Sequence, residues 1–126
     1  MDQDQLSRFI NRYVSMWHEA EPTRRREIVL SLFAEDAENY TRKLAAHGTE
    51  EIIARVTRAH EDWVACKGFV FRPAGNTDAH HQVVKFFWEM LPKVGGPIEA
   101  RGLDIFVLRE DGRILALYQF SESATY

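Results

Sequence analysis

Apolar residues recur at two different periods along the 126-residue chain, and the change of period divides it in two. Between residues 4 and 20, Leu6, Phe9, Ile10, Tyr13, Val14 and Trp17 are spaced three and four apart, which is one face of a helix. Pro22 suits the first turn of a second helix, in which Ile28, Val29, Leu32 and Phe33 face inward and which ends near Ala34. A brief strand over 38–42 and an irregular AAHG follow. Gly48 and Thr49 then open a third helix. Thr49 is its candidate cap, Glu50 and Glu51 suit the positive end of its dipole, and Ile52, Val56, His60 and Trp63 align about one turn apart.

From Lys67 onward the period becomes two, and PAGNTD, LPKVGGP and EDG punctuate it. Four strands are predicted, at 68–73, 78–91, 97–109 and 113–122, joined as an antiparallel meander because no connection is long enough for a crossover. The second sorts His80, Gln82, Val84, Phe86, Trp88 and Met90 to one face and His81, Val83, Lys85, Phe87, Glu89 and Leu91 to the other. Both faces carry large apolar groups. One can pack on the helices; the other needs a cover, most simply a second copy of the same sheet, so a homodimer through the outer sheet face is expected. Helices first and a long curled sheet afterwards make an α+β fold, three N-terminal helices on a strongly curved mixed or antiparallel sheet. Such a cone tends to keep a pocket, here walled by Trp17, Tyr40, Trp63, Phe86, Trp88 and Phe106, although aromatic stripes also fill ordinary cores.

One residue breaks the apolar pattern of GLDIFVLREDGRILALYQF. Asp104 shares a strand face with Phe106 and Leu108 while Leu103, Ile105 and Val107 take the other, so its carboxyl is buried on either face. A buried acid is protonated, hydrogen-bonded or both.

The composition, 45% hydrophobic and 28% charged, fits a single domain over residues 1–126. A formal net charge of −3 leaves no basic field of the kind that binds nucleic acid. Arg24, Arg25 and Arg26 form the only basic run, and consecutive helical residues fan around the axis, which reads as solvated surface. Cys66 is the only cysteine and reads as packing. MDQDQLSRF is not the basic-then-apolar start of a signal peptide, and no apolar run approaches the roughly 18 residues of a membrane span. A cytoplasmic protein without a membrane partner is expected. No metal-ligand spacing, glycine-rich phosphate loop or GxSxG elbow is present, so neither metal nor cofactor is expected.

Four strings carry a resemblance: FINRYVSMW in the first helix, LFAEDAENY into the first strand, HGTEEI at the third helix, and GLDIFVLREDGRI in the last hairpin. In this order and spacing the chain resembles the nuclear transport factor 2-like superfamily, of cystatin-like fold, and within it the SnoaL-like polyketide cyclase and ketosteroid isomerase branch. In the isomerases a helix-1 tyrosine and a protonated late-strand aspartate donate hydrogen bonds to a dienolate oxygen. By resemblance these fall on Tyr13 of NRYV and Asp104 before IF. The isomerases' basic aspartate falls on Thr41 of NYTRK, which cannot remove a carbon-bound proton at neutral pH, so ketosteroid isomerisation itself is not expected. The SnoaL-like cyclases, cofactor-free, use a late-strand acid, sometimes helped by histidine.

The expected function is therefore a pocket for a small hydrophobic or cyclic molecule. Either it is a cofactor-free acid/base isomerase, cyclase or hydratase, with Asp104, Tyr13 and His60 as catalytic candidates, or a non-catalytic binder or dimeric interaction module. His60 lies on the apolar stripe, where it is either a base or a satisfied core histidine. His80 shares Trp88's face and His47 lies near the expected mouth; both are candidate ligand contacts.

Overall fold

A computed structural model describes residues 1–123. The first helix, α1 (Gln3–His18), starts in a reciprocal cap: the Asp2 carboxylate accepts from Gln5 N at 2.8 Å and the Gln5 side chain accepts from Asp2 N at 2.9 Å. It buries Leu6, Phe9, Ile10, Tyr13, Met16 and Trp17, close to the stripe read from the sequence. The second, α2 (Pro22–Leu32), has the Glu21 carboxylate on its first free N–H groups. Arg25 departs from the expected solvated run. It is buried, donating to the carbonyls of Glu19 and Ala20 and to Thr57 Oγ1, so one arginine ties two helix ends to a third helix. Arg26 stays exposed and pairs with Glu50 at 2.6 Å.

The chain passes directly into β1 (Phe33–Tyr40), longer than expected, and turns back through β2 (Ala45–His47), where an irregular stretch was expected. The third helix, α3 (Gly48–Ala59), begins at Gly48 with no side-chain cap, so Thr49 lies inside the helix. From His60 to Cys66 the winding relaxes to a π-helix. Cys66, expected to pack, is exposed at its end.

The remaining strands are β3 (Phe69–Pro73), β4 (Asp78–His80), β5 (Val83–Pro92), β6 (Ala100–Leu108) and β7 (Ile114–Ser123). The sheet runs β2-β1-β7-β6-β5-β3, with β4 also paired to β5. All its pairs are antiparallel except β1 with β7, which makes it mixed and open. The expected single strand over 78–91 is instead a tight hairpin. His81 and Gln82 have φ of 50° and 67°, and His80 pairs with Val83 across them. Two consecutive positive φ values make the reversing turn whose hand matches strand twist. This His-Gln pair lacks the Asn-Gly signature that would have marked it.

The helices cover one sheet face, and the core between them is continuous from Leu6 to Leu117. Phe106 is fully buried at its centre, edge-on to Phe9 and Tyr13 at centroid distances of 5.1 and 4.7 Å. Burying such a ring contributes about 2–3 kcal/mol. No helix among the described residues is long and apolar enough to cross a membrane.

Candidate functional site

Strand alternation fixes which side chains meet inside the cone. On β5, Val84, Phe86, Trp88 and Met90 point inward; on β6, Asp104, Phe106 and Leu108; on β7, Leu117, Gln119 and Ser121. Phe86, Trp88, Met90, Asp104, Gln119 and Ser121 among these, with residues of α1, α3 and the π-helix, line a cavity of about 500 Å³, within the range of small-molecule sites. Its lining includes Tyr13, Trp17, Trp63, Phe86, Trp88 and Asp104, all expected from the sequence, together with Val14, Phe71 and Met90.

Asp104 is 1% exposed and lies in the wall. Its Oδ2 accepts from the Tyr13 hydroxyl at 2.6 Å and its Oδ1 from Trp88 Nε1 at 3.0 Å. The second contact depends on a glycine. Trp88 faces Gly102 across the β5–β6 ladder, and a Cβ on Gly102 would stand 2.1 Å from the indole, so only glycine lets the ring lie across the neighbouring strand and reach the carboxyl. Gln119 Nε2 lies 3.5 Å from both Asp104 Oδ2 and the Tyr13 oxygen. Burial pushes the Asp104 carboxyl up to about 6, against the pull of the Tyr13, Trp88 and Gln119 hydrogen bonds and the Arg55 charge. Burial and the adjacent Asp104 raise the Tyr13 phenol well above its ordinary range, so it stays a donor.

Further polar groups adjoin this pair, Arg55 and Gln119 among them in the cavity wall. Gln119 Oε1 accepts from Asn39 Nδ2 at 3.0 Å and Arg55 Nη2 at 3.3 Å, and the Arg55 guanidinium lies over the Trp17 ring, 5.3 Å from its centroid. Arg55 and Gln119 were not singled out from the sequence, though both lie where the periodicity points inward. Arg55 is three residues after Ile52 and four before Ala59, both buried, and Gln119 is two after Leu117. Polar residues at such positions default to surface in a pattern reading.

The other expected site residues lie elsewhere. His60 is buried outside the cavity lining, its Nδ1 2.8 Å from the Trp17 carbonyl, one of the α1 C-terminal carbonyls that helix geometry leaves without a partner. Phe106 belongs to the core beneath Tyr13 rather than the cavity wall. Tyr40 follows inward-facing Asn39 and so points to the opposite sheet face, stacked on Tyr118 at 5.3 Å and bonded to the Glu38 carboxylate. Its phenol is pushed up to about 12, chiefly by that bond. His47 is exposed beside it, 3.6 Å from Glu38. The hairpin carries His80 to the end of the sheet, where it is exposed, 3.0 Å from the His81 ring nitrogen, and borders a separate, more open groove. Thr41 lines the cavity, and its Oγ1 accepts from the Lys43 and Leu44 N–H groups in a tight turn.

Residues 10–117 match the SnoaL-like domain family. A crystal structure from Agrobacterium tumefaciens, provisionally termed an isomerase of the SnoaL-like family, is 26% identical with a TM-score of 0.85, covering 96% of this chain and 100% of that one. One from Sinorhizobium meliloti, provisionally termed a polyketide cyclase, is 16% identical with a TM-score of 0.70 over 95% and 100% of the two chains. A nuclear transport factor 2-like protein of unknown function from Exiguobacterium sp. 255-15 is 18% identical with a TM-score of 0.69 over 90% and 98%. No curated protein matches. The match over most of its length places the chain in the SnoaL-like domain family, and its helix-on-sheet architecture is the fold of the nuclear transport factor 2-like protein.

Proposed function

We propose that the protein is a cofactor-free acid/base enzyme that moves a proton within a small hydrophobic, cyclic molecule, in an isomerisation, cyclisation or hydration, with Asp104 as the proton carrier. The observation that supports this reading best is a carboxyl set in the wall of a largely apolar cavity and pushed up to about 6. Such a group is mainly ionised at pH 7 yet accepts a proton at small cost, as a general base requires. Trp88 takes one acceptor site on Oδ1 and leaves another there for a substrate proton, while Oδ2 already meets Tyr13 and, at 3.5 Å, Gln119. Once Asp104 takes that proton it no longer needs the Tyr13 hydrogen bond. The hydroxyl is then free to donate to the enolate oxygen forming on the substrate, and Asp104 returns its proton to a different atom. The isomerase description of the Agrobacterium relative agrees with this chemistry. Thr41 in place of a basic aspartate argues against a steroid substrate handled as in the ketosteroid isomerases.

The test uses 2-tetralone as a cyclic carbon acid. In D2O, the wild type accelerates exchange of its α-protons over buffer, and Asp104→Asn lowers that rate by about 100-fold or more while binding of the ketone is retained. Binding without accelerated exchange in the wild type would instead support a non-catalytic ligand-binding protein.

We further infer that two copies pair through the outer sheet face. Phe87, Leu103 and Phe120 are cross-strand neighbours there, as are Lys85, Ile105 and Tyr118. Val83, Tyr118 and Phe120 are 38%, 42% and 55% exposed, an apolar row that a monomer leaves in water.

A further inference from the structure

A guanidinium inside the cavity has no acid of its own. Arg26, Arg58, Arg72 and Arg109 each form an ion pair with a carboxylate. Arg55, partly buried in the cavity wall, has none among the described residues. Among the described residues only one of its five N–H donors is used, from Nη2 to Gln119 Oε1, an oxygen already shared with Asn39. Its Nε–H is sealed from water without an acceptor. Asp104 does not neutralise it directly, because the Gln119 side chain bridges the two groups and both Asp104 oxygens are held by Tyr13 and Trp88. A partly desolvated charge left in this state is costly and favours an incoming anion.

The shape of the site narrows that anion. The guanidinium lies over the Trp17 ring, and its planar fork matches the two oxygens of a carboxylate. Val14, Phe71, Phe86 and Met90 offer apolar surface for a ring. The other charged groups of the lining, Lys43, Glu99 and Glu122, are exposed, where water screens them. With those charges screened, Arg55 is left as the partly buried cation of the wall that an anion can meet.

We propose that Arg55 anchors a carboxylate on the ligand, so that the cavity takes small cyclic or aromatic acids in preference to neutral molecules of the same shape. This rests on the acid/base reading of the cavity and adds the substrate class to it. With the carboxylate on Arg55, the reacting atom beside Asp104 lies about one glutamine side chain away, which calls for a compact acid.

The test compares trans-cinnamate with trans-cinnamamide, which share an apolar body and differ in charge. Binding is read from NMR shifts of the Trp17, Trp63 and Trp88 indole N–H signals, assigned by single substitution. In the wild type, cinnamate binds at least about ten-fold more tightly than the amide. Arg55→Gln abolishes the preference and leaves cinnamamide affinity within about two-fold, while Arg55→Lys, which keeps the charge without the fork, retains part of it. Equal affinities in the wild type, or a preference undiminished in Arg55→Gln, would overturn the carboxylate anchor and leave the ligand cavity standing. Should neither compound shift a cavity tryptophan, both the anchor and the cavity reading fail.

Discussion

At the scale of single residues, the site is one acid kept out of water and steadied by donors, and its cost to folding is measurable. The Asp104 carboxyl titrates near 6 in the fold against an ordinary 3.8. Between those values the folded state holds a proton that the unfolded chain has lost, so this group adds stability as the pH falls through about 6. Above 6 its buried charge costs about 3 kcal/mol. Asp104→Asn removes the charge and weakens the Tyr13 and Trp88 hydrogen bonds. Urea unfolding at pH 8 is expected to show it about 1–3 kcal/mol more stable than the wild type, with the advantage gone near pH 4. His18, whose imidazole is lowered by burial and whose Nε2 accepts from Phe71 N, loses stability as the pH falls, but it does so in both proteins and cancels in the difference. Asp104 and Tyr13 were legible in the sequence because a carboxylate in an apolar strand and a tyrosine on an apolar stripe are both anomalies. Arg55 and Gln119 were not, since an arginine on a helix or a glutamine on a strand is ordinary until the partner elements are known.

At the scale of elements, geometry between neighbours decides what a strand or helix can present. Gly102 exists for the sake of Trp88: alanine there would meet the indole at 2.1 Å and the Phe120 carbonyl at 2.7 Å. Gly102→Ala should therefore destabilise the fold by about 1–3 kcal/mol and expel the indole from Asp104. Chemical unfolding checks the first effect, and the Trp88 indole N–H shift the second. Losing that donor also removes one of the bonds that lower the carboxyl's pKa, so its titration should move above 6. The long helices and the β6–β7 hairpin were readable because burial imposes a clean period of 3.6 or 2 on them. The hairpin at His81–Gln82 and the short β2 were not. Positive φ at two non-glycine residues leaves no compositional mark, and three residues are too few to show alternation. The same hairpin puts His80 on the face of Val83, away from Trp88, because the reversal between them breaks strand parity.

At the scale of the whole molecule, the open sheet has two faces with different fates. The inner face closes on the helices around the cavity, and the outer face presents Val83, Tyr118 and Phe120 to water. If a second copy covers that face, sedimentation velocity should give a dimer at micromolar concentration, and Phe120→Lys should shift it to monomer with the fold intact by circular dichroism. A monomeric wild type would remove the pairing without touching the cavity, because Phe120 and Gln119 lie on opposite faces of β7. The family's fold hosts many functions, so the chemistry must come from the site itself. The enclosure of the cone, by keeping water away, tunes the buried Asp104 carboxyl. Carbon-detected NMR of the Asp104 carboxyl from pH 3 to 9, assigned against Asp104→Asn, measures that directly. A midpoint near 6 is predicted, and a midpoint at or below about 4, the ordinary aspartate value, would contradict it.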